Sequence, residues 1–237
     1  MTPADAAASG GFRHFHEQLA HLKQRLLDMS DLATSLLDRA VEALLQHDAS
    51  EAEAVLTGDR ELDALEIEVE DQAVGLLALQ QPMARDLRFI IASIKVSNDL
   101  ERVGDHAVNI AQCALRMSAQ TMKISPDPEI ADMARRARQM LRDALTAFVR
   151  ADGALGRQVC RADDDVDAMH NSMFRILVTH MMEDARTITP SLEFLLVSRN
   201  LERVADLATN IGEDAVYLAE GKTIKHHAEE HQEAPAP

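Results

Sequence analysis

Residues 97 to 111 read Ser-Asn-Asp-Leu-Glu-Arg-Val-Gly-Asp-His-Ala-Val-Asn-Ile-Ala, and residues 198 to 212 read Ser-Arg-Asn-Leu-Glu-Arg-Val-Ala-Asp-Leu-Ala-Thr-Asn-Ile-Gly. The shared frame is Leu-Glu-Arg-Val-x-Asp-x-Ala-x-Asn-Ile, beginning at Leu100 and again at Leu201. A repeat of this length makes the chain two copies of one unit, and its apolar spacing of three and four is helical.

Working outward, six amphipathic segments can be counted. The first runs from about His14 to His47 with Leu19, Leu22, Leu26, Met29 and Ala33 in a seam, and the second from about Ser50 to Gln80. Pro82 ends the second and opens the third, which runs from about Met83 to Ser118, because proline suits the first turn of a helix. Ser-Pro-Asp-Pro at 125 to 128 separates the halves, and the pattern restarts at Ile130. A Gly-containing turn at Asp152 to Gly156 precedes the fifth segment, a turn at Thr187 to Thr189 follows it, and the sixth starts after Pro190.

Short connections make neighbouring helices antiparallel. The expected fold is therefore all-α: two tandem three-helix bundles related by internal pseudo-symmetry. The first bundle should span 12–122 and the second 127–221, with flexible ends at 1–11 and 222–237. The absence of Trp, a single Tyr and 11 Met fit helices packed by pliable aliphatic side chains better than sheets.

Charge excludes one class of partner. Lys and Arg number 24 against 40 Asp and Glu, a net charge of −16, which cannot neutralise a phosphodiester backbone, so no nucleic acid is expected. Two cysteines far apart, Cys113 and Cys160, fit reduced thiols in the cytoplasm. No stretch approaches a spanning segment, and the first residues lack a secretory leader. The expected location is cytoplasmic, with recruitment to the inner face of the membrane by partners.

The repeat carries Glu101 and Asp105 in one copy and Glu202 and Asp206 in the other, each pair on one helix face and about 6 Å apart along the axis. The preceding helices carry Asp59 with Asp63, and Asp163 with Asp167. Mirrored about Pro82, Asp59 falls level with Asp105 and Asp63 with Glu101. The second set mirrors near Ala185, somewhat before the turn drawn at Thr187 to Thr189, so its match is looser.

Four carboxylates converging from two helices must take up protons or a cation. Clustered oxygens suit Fe, Mn, Mg or Zn, and His170 could add a nitrogen. The same pattern also describes a solvated acidic face, and Arg102 and Arg203 could neutralise the acids without metal. The Met residues read as core filler, and His227 with His231 as part of a loose polar tail.

At these residues the chain resembles the PhoU family. The resemblance runs from about Phe15 to Gly221 and is carried by Leu77-Ala-Leu-Gln-Gln-Pro-Met-Ala-Arg-Asp-Leu-Arg88, Asn98-Asp-Leu-Glu-Arg-Val-Gly-Asp105 and Arg199-Asn-Leu-Glu-Arg-Val-Ala-Asp206. It implies multinuclear metal sites at Asp59, Asp63, Glu101, Asp105, Asp163, Asp167, Glu202 and Asp206. It also implies a negative regulator of the phosphate-starvation response and of phosphate uptake. Such a regulator would couple the phosphate ABC transporter, through its ATPase, to a sensor histidine kinase.

A homodimer is the expected assembly. No nucleophile constellation or Walker motif points to an enzyme. The alternatives are a carboxylate-bridged metalloenzyme, disfavoured by the lack of Glu-x-x-His pairs, and a metal-free helical scaffold. No phosphate pocket is visible in the sequence, so tight binding of free phosphate is not expected.

Overall fold

The computed structural model describes the backbone of residues 3–120 and 128–225, and the side chains of 14–120 and 129–225. Within these residues the chain forms six helices and no strand: α1 (Pro3–Gln46), α2 (Ala49–Gln80), α3 (Ala84–Ser118), α4 (Pro128–Arg150), α5 (Gly153–Glu183) and α6 (Ile188–Glu220). Helices α1 to α3 form one bundle and α4 to α6 the other, as the repeat requires. Helix α1 begins at Pro3, well before the His14 start read from the seam. The mobility expected of both ends falls mostly outside the described residues, as do His227 and His231.

The joint between the first two helices of each bundle uses the same chemistry twice. His47 and Ala151 take positive φ (55° and 51°), and the next residue is an aspartate that caps the following helix. Asp48 Oδ1 accepts from the Ser50 and Glu51 amides at 2.9 and 3.1 Å, and Asp152 Oδ1 from the Leu155 amide at 3.0 Å. Each cap satisfies amides that the helix leaves without a partner and contributes about 1 kcal/mol.

The joint before α5 is therefore shorter than the turn read at Asp152 to Gly156. Gly153 and Gly156 lie inside α5. A Cβ on Gly156 would come within 2.5 Å of the Gly212 carbonyl oxygen. These two glycines let α5 and α6 meet backbone to backbone, which explains a glycine held in a helix interior despite its entropic cost.

The hairpin turns decide the register of the acids. Gln81 to Met83 join α2 to α3, centred on Pro82 as expected. Between α5 and α6 the turn is Asp184 followed by a single 3₁₀ turn, Ala185–Thr187, earlier than the expected Thr187 to Thr189. Pro190 sits in the first turn of α6, where its missing N–H costs nothing. The mirror point near Ala185 consequently falls inside the real turn.

The core is continuous across both bundles, from Leu22, Met29 and Leu36 in α1 to Phe194, Val204 and Ile211 in α6. Helices α3 and α6 pack antiparallel at the centre. Arg116 donates to Glu193 through Nε and Nη2, both at 2.8 Å, and His106 Nδ1 lies 2.9 Å from Asn200 Oδ1. At the other end of this seam Lys95 and Lys225 each stand 3.5 Å from the fully buried Asp214. Both thiols are free, and burial pushes them up, Cys113 to about 12 and Cys160 to about 11.

Candidate metal centres

Helices α2 and α3 bring Asp59, Asp63, Glu101 and Asp105 together. Asp59 and Glu101 are half-buried, while Asp63 and Asp105 face solvent. Burial is the main cause that holds the Glu101 carboxyl up to about 7, with Asp105, Glu66, Asp63 and Asp59 adding repulsion in that order. Asp59 is raised by burial and then by Asp63 and Asp105. One oxygen of Asp59, Oδ1, is buried without a hydrogen-bond partner.

Glu66 is a fifth acid at this place. It is raised by burial and feels both Asp63 and Asp105, with Asn98 Nδ2 donating to it at 3.4 Å. It was missed in the sequence, although its position three residues after Asp63 puts it on the same helix face.

Helices α5 and α6 build the second site from Asp163, Asp167, Glu202 and Asp206. Burial lifts Asp163 to about 6, and the next cause is Asp206, across the hairpin. Glu202 is raised by burial and then by Asp206. Asp163 Oδ1 repeats the feature of Asp59 Oδ1, being buried with no hydrogen-bond partner. His170 occupies the position equivalent to Glu66; its charge acts on Glu202, and its Nδ1 lies 3.1 Å from Ser198 Oγ. The acids of each set thus act on one another across their hairpin, and the second turn lies earlier than expected, around the mirror point.

The two sites differ in what neutralises them. Arg203 donates to Asp206 at 2.8 Å and lies 3.6 Å from Glu202. Its counterpart Arg102 pairs instead with Asp99, at 3.6 Å. A second difference is steric. A Cβ on Gly104 would stand 2.3 Å from Leu62 Cδ2 and 3.0 Å from Asp59 Oδ1. At the equivalent positions the second bundle has Ala205 and Val166, both buried, exchanging bulk on one helix for bulk on the other.

Among the described residues, no three His, Cys, Asp or Glu side chains are already grouped to hold one metal ion. The donor set nevertheless fits a cation in charge and chemistry. Each site gathers hard oxygen donors that repel one another, and each has one buried carboxylate oxygen left without a donor.

A tandem three-helix protein with the same acidic signature in each half defines a duplicated helical-bundle class, and comparison with known proteins says which. The PhoU domain matches twice, over residues 26–114 and 130–215, and the chain belongs to the PhoU family. It is 36% identical over 210 residues to a phosphate-specific transport system accessory protein PhoU homolog of Zymomonas mobilis, covering 89% of this chain and 88% of that protein. With the homolog of the same description from Caulobacter vibrioides it shares 39% over 201 residues, or 85% of this chain and 87% of that one. The crystal structure of PhoU from Pseudomonas aeruginosa superposes with a TM-score of 0.84 at 35% identity, over 88% of this chain and all of that one. PhoU from Streptococcus pneumoniae, a phosphate transport system regulatory protein, gives 0.81 at 28% identity, over 89% of this chain and 99% of that one.

Proposed function

We propose that this protein is an accessory regulator of phosphate uptake: a non-enzymatic adaptor that represses the phosphate-starvation response when phosphate is plentiful. It would join the ATPase of a phosphate ABC transporter to a sensor histidine kinase at the cytoplasmic face of the membrane. Among the described residues, no helix is long and apolar enough to cross that membrane, so partners would bring it there. The observation that carries this reading is the duplicated acidic signature on a fold shared with proteins described as phosphate-transport accessory and regulatory proteins.

The acids would hold metal ions, Fe, Mn, Mg or Zn, at Asp59, Asp63, Glu101 and Asp105 and at Asp163, Asp167, Glu202 and Asp206, with Glu66 and His170 beside them. A bound cation would offset the burial and the mutual repulsion that raise Glu101 to about 7 and Asp163 to about 6 and would tie α2 to α3 and α5 to α6. Arg203 already pairs with Asp206, and a metal-free second site is the alternative reading for that half.

One preparation tests both parts. Protein purified without chelator is compared with the Glu101→Ala/Asp105→Ala variant by metal analysis, and both are used as bait in phosphate-replete cell extract. Metal lost in the variant, with transporter ATPase and kinase captured by the wild type, supports the proposal. Equal, negligible metal in both removes the metal, and failure to enrich either partner removes the adaptor. Light scattering of the same sample reports whether the expected homodimer forms.

A further inference from the structure

We propose a second ligand site, apart from the acidic helix faces: a cavity of about 340 Å³ between the two bundles that takes a small molecule with an apolar body and one carboxylate. The cavity opens where α1 and the start of α3 meet α4 and the end of α6. Its floor is aromatic. Phe89 and Phe148 are almost fully buried, with ring centroids 5.8 Å apart, in a chain that has only six Phe and no Trp. Leu145, Val149 and Leu218 complete an apolar wall, and Val149 leaves 53% of its surface to solvent. The size matches the lower range of ligand pockets.

The charges at the mouth give the ligand its sign. Lys23 and Arg85 line the cavity, and among the described residues neither forms an ion pair, although acids outnumber bases by 40 to 24 in the chain. Lys23 Nζ instead lies 5.0 Å from the centre of the Phe89 ring. Asp86 is the one acid on the lining, and two cations outweigh it. An unpaired ammonium over an aromatic ring that floors a cavity is placed to receive an anion whose apolar part rests on that ring.

Several of the neighbouring basic residues are placed differently. Arg88, one turn beyond Arg85, has its guanidinium packed against Gly221, just past the end of α6. In the adjoining groove along α1 and α4, Asp38 takes Arg138 and Arg142, and Arg39 takes Glu51. Those charges are paired, and Lys23 and Arg85 at the mouth of the aromatic cavity are not. The motif around Arg85, which the acidic sites leave without a role, gains one here.

The test uses 4-phenylbutyrate and its uncharged counterpart 4-phenyl-1-butanol in calorimetric titrations of the full chain. One molecule of the acid is expected per chain, held at least tenfold more tightly than the alcohol. Lys23→Gln/Arg85→Gln should bring the acid down to the level of the alcohol while leaving the alcohol unchanged. Val149→Trp, which fills the cavity from an exposed position, should abolish both, with circular dichroism confirming that each variant is folded. Glu101→Ala/Asp105→Ala should bind the acid as the wild type does, keeping this site distinct from the metal reading. No saturable binding at millimolar acid, equal affinity for acid and alcohol, or binding indifferent to Val149→Trp would each overturn the proposal.

Discussion

Gly104 sits where the first acidic site meets the core, and its replacement tests whether the two bundles use exchanged bulk to reach one geometry. In Gly104→Ala the new Cβ would lie 2.3 Å from Leu62 Cδ2, against about 3.5–4.0 Å for an ordinary carbon contact. Leu62 is fully buried, so it can yield only by leaving its rotamer or pushing α2 away. Overpacking of this kind costs about 1–3 kcal/mol, from which about 1 kcal/mol of gained helix propensity is subtracted. Leu62→Val alone leaves a small void and costs about 1 kcal/mol.

The double variant Gly104→Ala/Leu62→Val reproduces the Ala205 and Val166 pair and should be more stable than the sum of its parts by about 1–3 kcal/mol. Urea denaturation in the presence of chelator, with the four proteins of the cycle at one pH, measures this coupling. Additivity within about 0.5 kcal/mol would refute the argument, since it would mean that Leu62 and residue 104 do not share space.

Asp48→Ala and Asp152→Ala should each lose about 1 kcal/mol, seen as a fall of about 2–4 °C in Tm for a chain of this size; no change would mean that water serves those amides equally well. Gly156→Ala should be harder to accommodate than Gly104→Ala, because its Cβ meets the Gly212 carbonyl at 2.5 Å and backbone cannot rotate away; a cost below that of Gly104→Ala in denaturant melts would contradict this. The metal-free protein should lose stability as pH rises from 4.5 to about 7, the ordinary and folded values for Glu101, because the folded state keeps a proton that the unfolded chain releases. Solvent screening limits that loss to about 1 kcal/mol, and Glu101→Gln should abolish it; parallel pH profiles for variant and wild type would sink the claim.

Much of this was legible in the residues, and for identifiable reasons. The approach of Asp59 to Asp105 could be read because the connection around Pro82 is so short that it limits the register. The second hairpin reads late in the sequence because Thr187 to Pro190 looks like a turn. Proline in the first turn of a helix looks the same in sequence as proline in a loop. Gly156 reads as part of a turn, whereas its reason is Gly212, 56 residues on, and a contact at that separation has no local signature. The aromatic cavity was equally hidden, since Phe89 and Phe148 belong to different bundles and meet only when those dock.

The different use of Arg102 and Arg203 has a single-residue explanation. Three residues before Arg102 stands Asp99, buried and lifted to about 6, and Arg102 turns to it. Three residues before Arg203 stands Asn200, which carries no charge and is engaged by His106, so Arg203 turns the other way, to Asp206. The pair Asp99 and Asn200 thus sets the charge of two sites to which neither belongs. Asn200→Asp should draw Arg203 off Asp206 and leave the second acidic site as uncompensated as the first. An ion pair that reaches solvent contributes up to about 1 kcal/mol, so cation affinity there should rise about two- to fivefold. The measurement is Mn²⁺ titration followed by paramagnetic resonance, in a background where Glu101→Gln and Asp105→Asn silence the first site. Because Asp keeps an oxygen acceptor for His106, a folded variant with unchanged affinity would show that Arg203 does not weaken the second site.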